Sequence, residues 1–351
     1  MIEKTFWLEG EDGQMANLTR DFFIGLSNNK CLNKNAQKWG FRLGADKFVA
    51  GTDIASVTRT IKEMNAKGIS CTVDNLGEFV SDRSEAEASK QKILKMLNQI
   101  HKEELDCHVS VKLTQLGLDI NRKLCIQNMK EILNQAEEFN IFVNIDMEDY
   151  AHFQATLDVL KILLEEYRNV GTVIQAYLRC AGEVLDQLED VRIRIVKGAY
   201  KESEEVAYQS KSEIDQNYLK LAKKRLLGNA YTSIATHDHH IINELKDFIQ
   251  KNHIPHDKFE FQMLYGFRQE MQYELAKAGY HFTTYMPFGN DWFGYYMRRL
   301  AERPQNINLV VKDAFYTKDN QLKKEPILTG ALAFSLWMLW KSKRKSSTKS
   351  S

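Results

Sequence analysis

Arg298 and Arg299 stand side by side in Tyr295-x-x-Arg298-Arg299-x-x-Glu302, shortly after Tyr285-Met-Pro-Phe-Gly289. On a helix, consecutive residues are about 100° apart, so the two guanidinium groups cannot share a single solvated face. Their planar forks suit a carboxylate or phosphate held at two places. A basic surface turn is the plain alternative for such a pair. Further polar and ionisable residues recur upstream, each closing a short apolar run: Asp74-Asn75-Leu-Gly-Glu78, Lys112, Asp146-Met-Glu148, Gln175-Ala-Tyr177, Lys197-Gly-Ala-Tyr200, Thr236-His237-Asp238, Gln262-Met-Leu-Tyr265 and Tyr285. Arg194 differs, because it lies inside the run Ile193-Arg-Ile-Val196, where a buried cation needs a partner. A carboxylate ligand would use Arg298, Arg299 and Lys112 together. A flat, electron-rich cofactor would need donors such as Arg194, Gln175, Lys197 and His237.

The runs that carry these residues are rich in β-branched side chains and predict strands near Ile69–Val73, His108–Lys112, Ile141–Asp146, Thr172–Tyr177, Arg192–Lys197, Tyr231–Thr236, Lys258–Met263 and Tyr280–Tyr285. Helical periodicity fills the gaps. Ile54, Val57, Ile61 and Met64 follow a Thr52-Asp53 cap and stop at Gly68. Leu157, Leu160, Leu164 and Tyr167 repeat that pattern, as do Ile241, Leu245 and Phe248. Strand–helix alternation repeated eight times predicts a closed parallel (β/α)₈ barrel of the TIM type. A doubly wound open sheet is the competitor, but no GxGxxG follows the first strand. Expected boundaries are an N-terminal helical segment at 1–46, the barrel at 47–310, and an apolar helix with a basic tail at 311–351.

In such a barrel the carboxyl ends of the strands carry the active site, which gives the strand-end residues a shared rim. Each has a structural alternative. Asp146 or Glu148 could cap the next helix, His237 could be a hydrogen-bonded core imidazole, Lys112 and Lys197 could reach solvent, and Gln175 could satisfy backbone groups. With 351 residues, 48 Lys+Arg against 47 Asp+Glu leaves a net charge of +1, so no global field selects nucleic acid. Five cysteines (Cys31, Cys71, Cys107, Cys125, Cys180) include no CxxC pair, which favours a reducing compartment and no metal site. The acidic N-terminus resembles neither a secretory signal nor a transit peptide, so a cytoplasmic location is expected.

At these residues the chain resembles the proline dehydrogenases, flavin enzymes that begin proline catabolism. The matching segments are Asp74-Asn-Leu-Gly-Glu78, Ser110-Val-Lys-Leu113, Asn144-Ile-Asp146, Ile174-Gln-Ala-Tyr177, Arg194-Ile-Val-Lys-Gly-Ala-Tyr200, Ala235-Thr-His237, Phe261-Gln-Met-Leu264, Tyr285-Met-Pro-Phe-Gly289 and Tyr295-Tyr-Met-Arg-Arg-Leu-Ala-Glu302. They are collinear with the family pattern from about Phe48 to Leu309 and are similar to the small monofunctional bacterial form. The resemblance implies a distorted barrel that binds FAD non-covalently at the strand ends, with the arginine helix lying over the flavin. It implies that Arg298, Arg299 and Lys112 hold the substrate carboxylate while Tyr285, Tyr295 and Leu264 surround the ring. Asp146 belongs to the wall beside it, Glu302 steadies the arginine helix, and Glu78 pairs with Arg298 as a gate. For FAD it implies Arg194 near the reactive nitrogen, Gln175 at the pyrimidine edge, and Val196, Lys197, Gly198, Ala199, Thr236 and His237 along the remainder. Lys201 departs from the bifunctional members, which have a tryptophan there, and implies a different adenosine contact.

The implied reaction oxidises L-proline to Δ1-pyrroline-5-carboxylate and passes electrons to a membrane quinone. Two readings from other classes are a Schiff-base aldolase or lyase using Lys112 or Lys197, and a non-catalytic membrane-tethered anion-binding protein. The tail bears on location. Ile327–Trp340 carries no charge but falls short of the roughly 20 residues a bilayer requires. Trp337 and Trp340 beside Lys341, Lys343, Arg344 and Lys345 suit an interfacial helix with a cationic stop. Peripheral attachment to the inner face of the cell membrane through 327–345 is therefore expected, with a core helix packed on the barrel as the alternative.

Overall fold

The computed structural model describes residues 47–77 and 80–302. Lys47–Trp292 forms one compact unit, and the residues from Phe293 onward fall in a second. Within the first, eight parallel strands close in sequence order: β1 (Ser70–Asn75), β2 (Cys107–Val111), β3 (Val143–Ile145), β4 (Val170–Gln175), β5 (Ile193–Val196), β6 (Thr232–Ala235), β7 (Phe259–Leu264) and β8 (Phe282–Phe288). The expected barrel is present, and no strand edge is left to cap.

Helix α1 (Ile54–Asn65) precedes β1, starts at the expected Asp53 cap and buries Val57, Ile61 and Met64. Asp53 accepts from Ser56 N while Ser56 Oγ accepts from Asp53 N, so two otherwise orphaned donors are satisfied reciprocally. After the strands come α2 (Arg83–Lys102), α3 (Arg122–Glu138), α4 (Tyr150–Leu164), α5 (Ala181–Gln187), α6 (Lys211–Leu226), α7 (His239–Lys251), α8 (Gln269–Lys277) and α9 (Trp292–Glu302). Asp82, Asn121, Asp149, Ser210 and Asp238 cap α2, α3, α4, α6 and α7. Neither Asp146 nor Glu148 therefore acts as the cap of α4. Among the described residues, no helix is long and apolar enough to cross a membrane.

The apolar core lies outside the barrel wall, between strands and helices. Val73, Val111, Val143, Ile145, Ile195, Ile234, Phe261 and Met286 are buried there, together with the inner faces of the helices. Successive strand residues point to opposite faces, so the alternate set points inward. That set is polar, unlike the branched aliphatic layers usual for this architecture. At the amino-terminal end, Glu260 Oε1 accepts from Arg192 Nη2 at 2.8 Å, Ser233 Oγ at 2.5 Å and Gln262 Nε2 at 2.7 Å, and Thr283 donates to Oε2. Burial alone would raise the pKa of Glu260, but Arg192 and the hydroxyl donors outweigh it and hold the pKa down to about 2. Arg192 is also sandwiched between the Phe142 and Tyr231 rings, at 4.1 and 4.4 Å from their centroids.

Candidate active site

The opposite end of the interior holds a second polar layer, built by the carboxyl ends of β1, β2, β3, β5 and β8. Asp146, one residue past β3, accepts from Arg194 Nη1 at 2.6 Å and Asn144 Nδ2 at 3.0 Å on Oδ1, and contacts Tyr285 Oη at 2.7 Å through Oδ2. This supplies the partner that Arg194 requires inside its apolar strand. Arg194 Nη2 also donates to Ser110 Oγ at 2.9 Å, which in turn meets Thr72 Oγ1 at 2.9 Å. Tyr285 Oη lies 2.8 Å from Asp74 Oδ2, and Lys112 Nζ donates to that same oxygen at 2.6 Å. The Arg194 guanidinium stands 5.2 Å from the Tyr285 ring centroid. Burial, and then the two carboxylates Asp146 and Asp74, push the Tyr285 phenol well above its usual range. Lys112, Asp146, Arg194 and Tyr285 thus meet in one hydrogen-bonded constellation.

Leu264 ends β7 directly beside Tyr285 in the sheet register, and both are partly exposed toward the barrel mouth. The Leu264 amide approaches His237 Nε2 at 3.5 Å, so His237 stands at the rim and not in the core. Thr236 is buried, and its hydroxyl accepts from Asp238 N at 3.1 Å. Lys197 is not a free solvated side chain. It pairs with Asp238 at 2.9 Å and with Asp215 of α6, and Lys211 joins the same two carboxylates. Against the cost of burial, the Lys197 ammonium holds the Asp238 carboxyl far below the carboxylate range. Gly198 has φ +108°, and a Cβ there would fall 2.3 Å from the Tyr177 ring. Val196 is partly buried beside it and Ala199 is exposed. Gln175 Nε2 donates to Glu148 O at 3.2 Å, which is the backbone role, yet Gln175 Oε1 remains buried without a partner.

Glu148 accepts from Thr114 N at 3.2 Å and from Thr114 Oγ1 at 2.6 Å, fixing the 3-10 turn after β2. Asp74, Ser110, Asn144 and Asp238 carry essential contacts that their positions alone did not assign. The available signal was alternation: Thr72 and Asp74, Ser110 and Lys112, Asn144 and Asp146, and Arg192 and Arg194 each occupy one strand face. In α9, the Arg299 guanidinium lies 5.1 Å from the centroid of Tyr295, four residues earlier on the same helical face. Arg298 belongs to that helix. Glu78, the side chains of Arg298 and Glu302, and residues 1–46 and 303–351 lie outside the described set, as does the apolar tail.

The family model described as proline dehydrogenase matches residues 57–311. The chain is 47% identical over 297 residues to proline dehydrogenase 2 of Bacillus subtilis (strain 168), covering 84% of this chain and 98% of that protein. It is 38% identical over 276 residues to the proline dehydrogenase of Deinococcus radiodurans, covering 76% of this chain and 89% of that one. The crystal structure of proline utilization A (PutA) from Bdellovibrio bacteriovorus, inactivated by N-propargylglycine, is similar with a TM-score of 0.72 and 25% identity. That similarity covers 90% of this chain and 39% of the larger protein. With a match running through all eight strands and the arginine helix, this chain belongs to the proline dehydrogenase family.

Proposed function

We propose that the protein is a proline dehydrogenase that oxidises L-proline to Δ1-pyrroline-5-carboxylate, using FAD and passing electrons to a membrane quinone. The observation that carries this reading is the buried Lys112–Asp74–Tyr285–Asp146–Arg194 constellation, located where the family match runs through the strand ends. The residues present fit a flavin. Gln175 Oε1, Arg194 Nε and Gln262 Oε1 are buried polar atoms without a protein partner, a costly state that a heteroaromatic edge with matching groups relieves. Arg194, Gln175, Val196, Lys197, Gly198, Ala199, Thr236 and His237 are proposed to hold it. Bound there, FAD supplies the acceptor for the hydride that proline loses.

The chain's own residues then bind and orient. Arg298, Arg299 and Lys112 provide countercharge for the substrate carboxylate, a part of the proposal that rests on the family pattern of residues. Leu264, Tyr285 and Tyr295 supply apolar walls for the ring. Asp146 fixes both the Tyr285 hydroxyl and the Arg194 guanidinium, so rigid placement does most of the work. Glu78 is proposed to pair with Arg298 over the bound substrate. The tail at 327–345 is proposed to bring the protein to the inner face of the membrane, where a quinone dissolves.

Schiff-base chemistry is disfavoured by the geometry. Lys112 is ion-paired to Asp74 and Lys197 to Asp238 and Asp215, the opposite of the environment that makes an amine nucleophilic. A simple anion-binding protein does not account for the buried Arg194 and its partners. The deciding experiment is the visible spectrum of the purified protein before and after proline. A yellow protein that bleaches on addition of proline supports the proposal, and a colourless or unresponsive one refutes it.

A further inference from the structure

The wall that Leu264 and Tyr285 present to the barrel mouth is held from behind by one buried amide. Leu264 pairs with Tyr285 in the register of β7 and β8, and Tyr265 N donates to Tyr285 O at 2.8 Å. Past Leu264 the chain turns sharply into α8. Gly266 has φ +78°, and Lys47 O stands 1.5 Å from where its Cβ would be. Arg268, just ahead of α8, has φ +45° and gives the helix no side-chain cap. A turn with two positive φ values, one of them not at glycine, is not favoured by its own backbone and needs support from outside.

Gln272 of α8 supplies that support and is 1% exposed. Its Nε2 donates to Phe267 O at 2.6 Å and to Leu264 O at 3.2 Å, and its Oε1 accepts from Thr284 Oγ1 at 2.7 Å. A carboxamide has two N–H donors, and here each meets a carbonyl. The flipped amide would set its oxygen against both carbonyls, so only this orientation satisfies the set. Packing alone would be met by an aliphatic side chain, as it is by Leu275 one turn on. The amide reaches both halves of the wall: Leu264 through its own carbonyl, and Tyr285 through its strand neighbour Thr284. Successive strand side chains alternate, so Thr284 faces α8 while Tyr285 faces the interior. Phe267, which takes the shorter bond, packs on Phe48 and on His237, with ring centroids 5.1 and 5.2 Å away.

We infer that Gln272 is a positioning residue of the active site, setting the placement of Leu264 against Tyr285 from outside the barrel. Without its donors the turn from Tyr265 to Arg268 relaxes and Leu264 moves with it. A bound ring then loses a close-fitting wall, while groups that hold a carboxylate are untouched. The inference deepens the proposed function and rests on it for the identity of that ring.

Steady-state kinetics and inhibition of the full-length, flavin-containing protein test it. Gln272→Met keeps the volume and removes the polar atoms. It should raise KM for proline roughly tenfold or more, with a smaller fall in kcat. Inhibition by cyclopentanecarboxylate should weaken in step, while inhibition by acetate, which has no ring, should stay at the wild-type level. Thr284→Val should act in the same direction to a smaller extent, and Thr284→Ser, which keeps the hydroxyl, should match the wild type. The double variant Gln272→Met with Thr284→Val should be no worse than Gln272→Met, because both cut one hydrogen-bonded chain. If Gln272→Met does not fold, the contrast between Thr284→Val and Thr284→Ser decides. An unchanged KM and inhibitor ratio, or equal weakening of both inhibitors, overturns the inference alone when the wild-type flavin bleaches with proline. A wild type that does not bleach overturns the proposed function and this inference with it.

Discussion

Asp146 Oδ1 and Arg194 Nη1 are 2.6 Å apart inside the barrel mouth, although their strands β3 and β5 are not neighbours in the sheet. Both side chains are largely withdrawn from water, with exposures of 12% and 5%. Removing one partner of a buried pair strands the other charge, which typically costs about 3–5 kcal/mol. Asp146→Ala should therefore lower the urea-unfolding free energy by about that much. Asp146→Asn, which keeps an acceptor for Arg194, should lose less, and equal losses would show that the ion pair is not the source.

The arginine pair predicts a different phenotype. One charge-assisted contact to a small anion contributes about 1.5–3 kcal/mol, so Arg298→Met or Arg299→Met should raise KM for proline by roughly 10- to 100-fold. The maximal rate should fall much less. Steady-state kinetics with near-normal KM in both variants would remove them from the carboxylate clamp.

Acid sensitivity should trace in part to the barrel floor. Glu260 has a folded pKa of about 2, below its ordinary value of 4.5, so the folded state favours the carboxylate. Its contribution is complete above about pH 4.5 and declines as pH falls toward 2; for a shift of this size it is on the order of 3 kcal/mol. Glu260→Gln should cost stability at neutral pH and flatten the pH dependence below 4.5. Parallel denaturation profiles at pH 7 and pH 4 would contradict this assignment.

Gly198 tests the proposed cofactor wall. A methyl group there meets both a positive φ and the Tyr177 ring, at 2.3 Å. The Cβ has no room, and the strained backbone adds about 1–3 kcal/mol. Gly198→Ala should reduce the flavin content of the protein as purified and lower its melting midpoint. Full flavin occupancy in the variant would exclude a close approach of this loop to FAD.

Membrane attachment is checked by cell fractionation. Truncation after Glu325 should move the protein from the membrane pellet to the supernatant. Full-length protein found wholly in the supernatant would refute the role given to 327–345.

The barrel was legible because each strand is a short β-branched run ended by a polar residue, and each helix has a readable cap such as Asp53. Boundaries were less so. The eighth strand, expected to stop at Tyr285, continues to Phe288 through Pro287. There the flanking chain is Lys47–Gly51, and what it takes from Pro287 is its carbonyl, which accepts from Ala50 N at 2.8 Å. A proline thus meets no demand for an N–H at that point. In the site, Lys112, Asp146, Arg194 and Tyr285 could be named as candidates from their strand-end positions and the family pattern. That Asp74 binds both Lys112 and Tyr285 could not be read, because pairings across a barrel depend on the stagger of strands distant in sequence.

That stagger gives the seam between β1 and β8 an unusual weight. Ser70 through Asn75 pair in unbroken register with Thr283 through Phe288, and the chain just ahead of α1 adds the bridge between Gly51 and Phe288. The contacts most remote in sequence are therefore the most continuously paired, and Asp74 and Tyr285 sit on opposite sides of that seam. Long-range pairing is slow to form because loop closure must come first. During synthesis, then, the hydrogen-bonded centre of Asp74, Tyr285 and Asp146 cannot exist until almost the whole barrel has left the ribosome, which makes closure of the fold and assembly of the site a single late event.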